Sequence, residues 1–253
     1  MSDARNPALD CHAHIAPDVT TEELGRLGNV LVLAMTRTID EAEAVSQRKD
    51  RQIVWGCGVH PGLRSARDSY NASRFERLVS TFAVVGEIGM DRRAGHLAEQ
   101  DRILTEIMAM AQGAPVVLSI HTAGCTRDVL GIIKADPHPG AILHWFLGNE
   151  SEVQEAVDLG CYFSVNGAMR DEQIKRVPLD RLLPETDYPS TLRRGGGRLP
   201  GDVGNLAERI AKMHELAPDD IAYRWRRNLL ALATRSGALD RLPETIADAL
   251  LSG

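Results

Sequence analysis

Two histidines near the N-terminus, His12 and His14, have the clearest chemical potential in the sequence. They are two positions apart in an apolar run over residues 8–16, which predicts a β-strand. Side chains two apart on a strand point to the same face. Because neutral imidazole is a common ligand of transition metals, the pair predicts a metal chelate. One such pair is a weak signal alone, so its weight depends on the rest of the chain.

Histidine or a carboxylate recurs where later apolar runs end. His60 follows the third run, Glu87 lies in the stretch that ends the fourth, and His121 and His144 end the fifth and sixth. Asp187 follows the eighth run. Five of the eight histidines lie on or beside these runs. Such a concentration of histidines at the apolar runs indicates a shared site rather than incidental placement.

The runs themselves predict eight strands. They are uniformly apolar rather than alternating, which is typical of strands buried on both faces of a parallel sheet. The predicted strands are residues 8–16, 29–34, 53–59, 83–85, 115–120, 141–143, 162–165 and 181–183.

Segments with helical periodicity lie between the strands. The predicted helices are residues 21–28, 40–51, 74–82, 99–112, 127–134, 151–159, 205–216 and 219–233. This alternation predicts an α/β fold, a single (β/α)8 TIM-type barrel, with a doubly wound open sheet as the alternative. No GxGxxG turn follows a strand, which weakens a dinucleotide-binding fold. In a barrel the strand ends open on one C-terminal face, so we expect the metal site there.

Length and composition limit the number of domains, the cellular location and the kind of nucleic-acid contact that we expect. The 253 residues match one barrel and predict a single domain over residues 1–253. Because residues 1–7 are polar, we expect no leader segment there. No apolar run approaches ~18 residues, and the four cysteines form no CxxC pair. We therefore expect a cytoplasmic protein with reduced, buried thiols and no membrane contact. The net charge of −6 excludes a large basic nucleic-acid face. Residues 193–198 predict a mobile basic loop after the last strand.

The ligand types indicate hydrolysis. Several imidazoles with carboxylates form a mixed nitrogen and oxygen site. Glu87 has two oxygens and can bridge two divalent ions ~3.5–4 Å apart, which suits displacement at phosphorus or attack on a carbonyl. Asp187 can orient or deprotonate the attacking water. No GxSxG motif is present, so a nucleophilic serine of that type is not indicated.

The sequence resembles the TatD-type metal-dependent deoxyribonucleases, a branch of the amidohydrolase-like barrels. The resemblance covers residues 10–233 and depends on the order and spacing of six stretches. These are residues 10–14, 58–61, 85–91, 115–121, 143–148 and 185–189. Among these proteins, residues 144–146 and 162–166 are most similar to the TatD proteins of Qat antiphage operons.

The resemblance implies the following ligand set for two divalent ions (Mg, Mn or Zn): His12, His14, Glu87, His121, His144 and Asp187. It implies that His60 lies near the substrate phosphate or behind a ligand. It also implies a 3′–5′ exonuclease acting on single-stranded DNA ends, with other proteins of a defence operon as possible partners.

The chain departs from the family where substrate is held. No arginine closely follows His121, so Arg127 on the next helix is the predicted substitute. Trp145, Phe146 and Tyr188 are predicted to stack on a base, with core packing as the alternative for Phe146 and Tyr188. Asn166 is predicted to bind substrate or to cap a loop. Two other functions stay open: a hydrolase of a small cyclic amide, lactone or phosphoester, and a non-catalytic partner in a defence complex.

Overall fold

A computed structural model describes residues 7–252 of the chain, so residues 1–6 and 253 of the predicted domain lie outside the described residues. Within the described part, eight strands form one parallel sheet in the order β1 to β8. The strands are β1 Ala8–Ala13, β2 Val30–Met35, β3 Ile53–Cys57, β4 Val84–Gly89, β5 Val117–His121, β6 Ala141–Leu143, β7 Tyr162–Val165 and β8 Leu182–Pro184. This order confirms the predicted (β/α)8 barrel.

Helices alternate with the strands along the described chain. They are α1 Thr21–Gly25, α2 Ile39–Val45, α3 Arg64–Asp68, α4 Ala72–Thr81, α5 Leu97–Ala111, α6 Thr126–Ala135, α7 Glu150–Asp158, α8 Asp171–Lys175, α9 Gly204–His214, α10 Pro218–Ser236 and α11 Glu244–Leu251. The sequence prediction missed α3, α8 and α11. Each has eight or fewer residues, so the apolar period repeats too few times to be recognised.

Local sequence explains where several elements begin. Every residue of β2 is buried, as its apolar composition predicts. The side chain of Thr20 accepts a hydrogen bond from the backbone of Glu23, and the Glu23 carboxylate accepts one from the backbone of Thr20. This capping box starts α1, as the sequence predicts. Asn149 and Glu152 form the same arrangement at the start of α7.

The barrel closes between β1 and β8 through main-chain contacts beyond the end of β8. The Asp187 amide donates to the carbonyl of His12 at 2.9 Å, and the His14 amide donates to the carbonyl of Tyr188 at 2.8 Å. Among the described residues no ladder pair joins β8 to β1. The closing contacts therefore involve the same residues that the sequence places in the site.

Helix α10 covers the N-terminal ends of the strands. The Asn228 amide donates to the carbonyls of Leu179 and Leu182 at 2.9 and 2.8 Å, at the start of β8. The Arg235 guanidinium donates to the carbonyls of Pro139 and Gly160, just before β6 and β7. One face of the barrel is thus closed, and the C-terminal face carries the predicted site.

Two smaller predictions can be compared with the structure. All four cysteines are free and buried, which confirms the expected thiols. No helix in the described part of the chain has the length and apolar character needed to cross a bilayer.

We expect Asn228→Ala to lower the free energy of unfolding by about 1–3 kcal/mol, because two buried carbonyls lose their donor. Chemical denaturation measures this change. Arg227→Ala alters the exposed neighbour on the same helix and should change stability by less than about 0.5 kcal/mol. Equal effects of the two substitutions would contradict the role of Asn228 as an anchor of α10.

Candidate metal centre

The predicted ligands come together at the C-terminal ends of the strands, which we call the mouth of the barrel. They are supplied by six strands or the residues just after them. The candidate metal cluster consists of His12, His14, His60, Glu87, His121, His144 and Asp187. These residues are spread from position 12 to position 187 of the sequence, and closure of the barrel brings them together.

Glu87 lies at the centre of this cluster and is almost fully buried. Its Oε2 atom is 3.0 Å from Nε2 of His14 and 3.2 Å from Nε2 of His60. Its Oε1 atom is 2.7 Å from Nδ1 of His121 and 3.0 Å from Nε2 of His144. One carboxylate therefore faces imidazoles from both sides, as expected of a bridging group.

Asp187 approaches the same Nε2 atoms of the first two histidines that Glu87 approaches. Its Oδ1 atom is 3.8 Å from Nε2 of His14 and 4.0 Å from Nε2 of His12. Asp187 has a left-handed backbone, with φ of 44°. This conformation is uncommon outside glycine and concentrates at functional sites. The closing hydrogen bond to His12 holds it in place.

Neighbouring groups orient the imidazoles. Nδ1 of His12 lies 2.7 Å from the hydroxyl of Ser119, and Nδ1 of His14 lies 3.1 Å from the carbonyl of Met35. The carbonyl can only accept, so Nδ1 of His14 carries a proton and Nε2 is the nitrogen that faces the cluster. Such support is typical of histidines that bind metals. Ser119 and Met35 were not identified from the sequence, because nothing in an apolar strand marks them.

Glu185 lies behind His144. Its carboxylate accepts hydrogen bonds from the Ser164 hydroxyl and from Nδ2 of Asn166, and its Oε2 atom is 3.5 Å from Nδ1 of His144. Asn166 also accepts a bond from the amide of Ala168, and its side chain is fully buried. The structure therefore places Asn166 behind the cluster and not at the mouth, because the buried Glu185 carboxylate needs its amide.

Asp10 is a buried carboxylate that the sequence analysis did not select. It accepts hydrogen bonds from the amide and hydroxyl of Thr186 at 3.0 and 2.6 Å, and from the amides of Gly201 and His12 at 2.8 and 3.2 Å. It thus joins β1 to the segment after β8. Its position two residues before His12 in the same run was the available signal.

Several buried polar atoms of the cluster have no hydrogen-bond partner. They are Nε2 of His12, Oε2 of Glu87 and Nε2 of His121; Nδ1 of His144 also has none but faces Glu185 on the far side of the ring. Unsatisfied buried polar atoms are rare and costly, so they indicate a group that these atoms bind. Three sets of ligand atoms each lie within 4.8 Å of one another. The sets are His12, His14 and Asp187; His12, Glu87 and His144; and His14, His60 and Glu87. These nitrogen and oxygen donors fit divalent cations.

Burial and charge shift the pKa values of the cluster. Burial opposes ionisation of Glu87, but its contacts with His60, His144 and His121 outweigh burial and hold its pKa well below the usual range. Burial raises the pKa of Asp187 to about 7. Glu87 therefore stays a carboxylate, whereas Asp187 exchanges a proton near neutral pH.

The remaining predicted residues are less central. His60 belongs to one of the three ligand sets. It therefore lies closer to the centre of the cluster than the sequence indicated. Trp145 and Tyr188 follow His144 and Asp187 directly and are partly exposed. Arg127 lies outside the cluster, with 87% of its side chain exposed and its Nε 3.9 Å from Glu152.

We expect Asp10→Asn to reduce the free energy of unfolding by about 1–3 kcal/mol, because the amide cannot accept all four hydrogen bonds. Metal affinity should fall in the same variant, since Thr186 precedes Asp187. Denaturation and calorimetric metal titration test the two effects. Asp18→Asn makes the same chemical change at an exposed position and should alter neither quantity. Unchanged metal binding by Asp10→Asn would refute the link to the cluster.

Metal binding should release protons at neutral pH and should weaken as the pH falls. Burial opposes protonation of His14, His121 and His144, but contacts with Glu87 raise the pKa of all three above its usual value. Ligands must be deprotonated to bind, so protonated imidazoles compete with the ion at low pH. Calorimetry with Mn²⁺ in buffers of different ionisation enthalpy measures the release.

Metal binding to the His144→Ala variant should release fewer protons than metal binding to the unmodified chain. His96→Asn, which changes an exposed histidine outside the cluster, should release the same number. Proton release that is absent, or equal in the His144 variant, would contradict the expectation.

Comparison with known proteins identifies the family of the chain. The family model described as TatD related DNase matches residues 9–233. The chain is 34% identical over 151 residues to a protein of Cronobacter turicensis named 3′-5′ ssDNA/RNA exonuclease TatD, covering 54% of this chain and 57% of that protein. It is 30% identical to the Escherichia coli K12 protein named uncharacterized metal-dependent hydrolase YcfH, covering 67% of this chain and 69% of that protein.

Solved structures show the same fold. The TatD homologue YJJV of Escherichia coli K12 superposes with a TM-score of 0.73 at 18% identity, over 88% of this chain and 97% of that one. A TatD family hydrolase of Entamoeba histolytica superposes with a TM-score of 0.71 at 14% identity, over 90% and 98% of the two chains. At these identities the superpositions support the barrel alone. The family match over residues 9–233 goes further, and the chain belongs to the TatD related DNase family.

Proposed function

We propose that this chain is a divalent-metal-dependent hydrolase that removes nucleotides from the 3′ end of single-stranded DNA or RNA. The observation that carries the proposal is the convergence of five imidazoles and two carboxylates on one buried centre at the mouth. The name of the Cronobacter relative supports this substrate and polarity. The matched region spans 57% of that relative, so its activity is extended to this chain as part of the proposal.

The proposed ligands are those that the sequence predicted: His12, His14, Glu87, His121, His144 and Asp187. We propose that these residues would hold two ions, Mg, Mn or Zn, and that Glu87 would contribute to both sites, because its two oxygens face different histidines. His60 is proposed as a further contact of the same centre, since its Nε2 atom lies 3.2 Å from Glu87.

When bound, divalent ions polarise a phosphoryl oxygen and lower the pKa of water toward ~7. The protein's own groups supply the remaining functions. Asp187 lies beside His12 and His14, and its ionised carboxylate can accept a proton from the attacking water. Glu87 remains negatively charged and keeps the histidines oriented around it.

Substrate contacts are proposed at the mouth. His60 is 20% exposed and faces both solvent and Glu87, which suits a contact with the phosphate that is cleaved. Tyr188 and Trp145 are partly exposed beside proposed ligands and can contact a base. Arg127 is too exposed to be fixed by the fold, and Asn166 is engaged by Glu185, so neither is retained as a principal contact.

Two wider predictions remain proposals. A single domain over residues 1–253 is supported by the continuous sheet and by α10 across its N-terminal face. The similarity to proteins of Qat antiphage operons stays a prediction, as do partners encoded in such an operon.

The direct test is the digestion of 5′-labelled single-stranded DNA with Mg²⁺, Mn²⁺ or EDTA. We expect a metal-dependent ladder that shortens from the 3′ end. Asp187→Asn should reduce the rate by about 100-fold or more, because a proton acceptor is lost together with a proposed ligand. Asp18→Asn changes an exposed aspartate and should leave the rate unchanged.

A small-substrate hydrolase would give a different result. Cleavage of lactones, cyclic amides or small phosphoesters, with none of the labelled DNA, would replace the nuclease proposal. Failure to cleave any of them by protein that retains its ions would favour a non-catalytic role. RNA of the same sequence, tested in parallel, determines whether both nucleic acids are substrates.

A further inference from the structure

An arginine and a tryptophan meet across the mouth from different loops. The guanidinium carbon of Arg194 lies 5.9 Å from the ring centroid of Trp145, which is within cation–π range. Trp145 directly follows the proposed ligand His144, and Arg194 lies in the loop after β8, seven residues beyond Asp187. The pair therefore connects two loops that each begin at the candidate metal cluster.

The loop that carries Arg194 is packed directly against the end of β8. A Cβ atom at Gly196 would lie 2.0 Å from Oγ1 of Thr191, and one at Gly197 would lie 2.6 Å from Cγ2 of Thr186. Only glycine permits such close approach at these positions. At its far end, the Gly201 amide donates to Asp10. Both ends of the loop are thus fixed beside the cluster, which keeps Arg194 at the mouth.

Trp145 is held at the surface while its neighbour is buried. Phe146 is 2% exposed and packs on Phe163, with 5.2 Å between the ring centroids. Trp145 has a left-handed backbone with φ of 40°, and its side chain remains partly exposed. A bulky residue at positive φ is unusual and indicates a functional constraint. Core packing, which the sequence left open as an alternative for Phe146, accounts for that residue.

The same two loops expose further apolar side chains. Within the described residues, the large hydrophobic side chains that are exposed are Leu147, Leu192, Leu199, Tyr223 and Leu251. Three of these five lie on the loops after β6 and β8, with 44–53% of their surface exposed. We call Trp145, Leu147, Leu192, Arg194 and Leu199 the rim patch.

Positive charge accompanies the rim patch. Arg193 and Arg198 flank Arg194 in the same loop, and among the described residues none of the three guanidinium groups contacts a carboxylate. The whole chain carries a net charge of −6, so attraction of a phosphodiester must come from local groups. The apolar and aromatic surface beside these arginines matches a nucleobase with its phosphate.

We propose that the rim patch binds the nucleotides of the strand that lie next to the cleaved bond. A base stacks on the Trp145–Arg194 pair, and the Arg194 guanidinium pairs with the adjoining phosphate. Stacking of this kind tolerates any base, so the subsite adds affinity without sequence preference. The inference deepens the proposed nuclease function and rests on it for the identity of the strand.

Binding without cleavage isolates this subsite. Fluorescence anisotropy of a labelled oligothymidylate is measured in EDTA, with the full-length chain and its variants. Trp145→Ala should weaken binding about tenfold or more, whereas Trp145→Phe should retain most of the affinity. Arg194→Ala should reduce the slope of log affinity against log salt by about 0.7, which corresponds to one lost phosphate contact. Arg227→Ala, on the opposite face of the barrel, should change neither value.

Activity then separates the subsite from the reaction. In Trp145→Ala, KM for the oligonucleotide should rise far more than KM for bis(4-nitrophenyl) phosphate. Failure of the unmodified chain to cleave any phosphodiester would overturn the proposed function, but the anisotropy experiment would still test the rim patch.

Wild-type affinity and salt dependence in both Trp145→Ala and Arg194→Ala would overturn the inference. So would a change of molecular mass in solution without a change in oligonucleotide affinity, which would identify the patch as an interface between copies of the chain. Arg194 is exposed, so its variant is expected to fold, and the test does not depend on the stability of the Trp145 variants.

Discussion

Closure of the barrel at the β1–β8 seam is the constraint on which the site depends. Asp10 binds two groups of Thr186 and the amide of Gly201, while the Asp187 amide binds the carbonyl of His12. Without this closure the proposed ligands His12 and Asp187, which are 175 positions apart in the sequence, would not lie close together. A buried carboxylate is costly unless its oxygens are fully hydrogen-bonded, and here four donors satisfy it.

Compensation of a buried charge also explains how Glu87 can lie at the centre of the mouth. Glu87 is buried among imidazoles, and their electrostatic attraction outweighs the cost of its desolvation. Several imidazole nitrogens and one Glu87 oxygen have no hydrogen-bond partner. Cations would satisfy these atoms, and Ser119, Met35 and Glu185 already hold the opposite sides of the rings. These contacts therefore hold the imidazoles in the orientation that binding of divalent ions requires.

The N-terminal and C-terminal faces of the barrel have different roles. Helix α10 covers the N-terminal ends of the strands, where Asn228 and Arg235 bind carbonyls that the sheet leaves unpaired. The C-terminal face is shaped by loops, and there Trp145 and Arg194 meet beside the ligands. In barrels of this kind the loops at the C-terminal face can vary with the substrate while the sheet and the opposite face maintain stability.

The sequence by itself determined the strands, their parallel arrangement and the identity of the candidate ligands. Uniformly apolar runs mark buried strands, and a histidine or carboxylate at the end of such a run must lie at one face of the barrel. Short helices such as α3 and α8 were missed because a single turn or so has no detectable period.

Only the tertiary structure decided which side chains touch. It placed His60 against Glu87, moved Asn166 behind the cluster and identified Asp10 as the closing residue. It also showed that Trp145 faces Arg194 while Phe146 enters the core. These contacts join residues far apart in the chain, and their distances depend on strand register and loop path, which local periodicity does not encode.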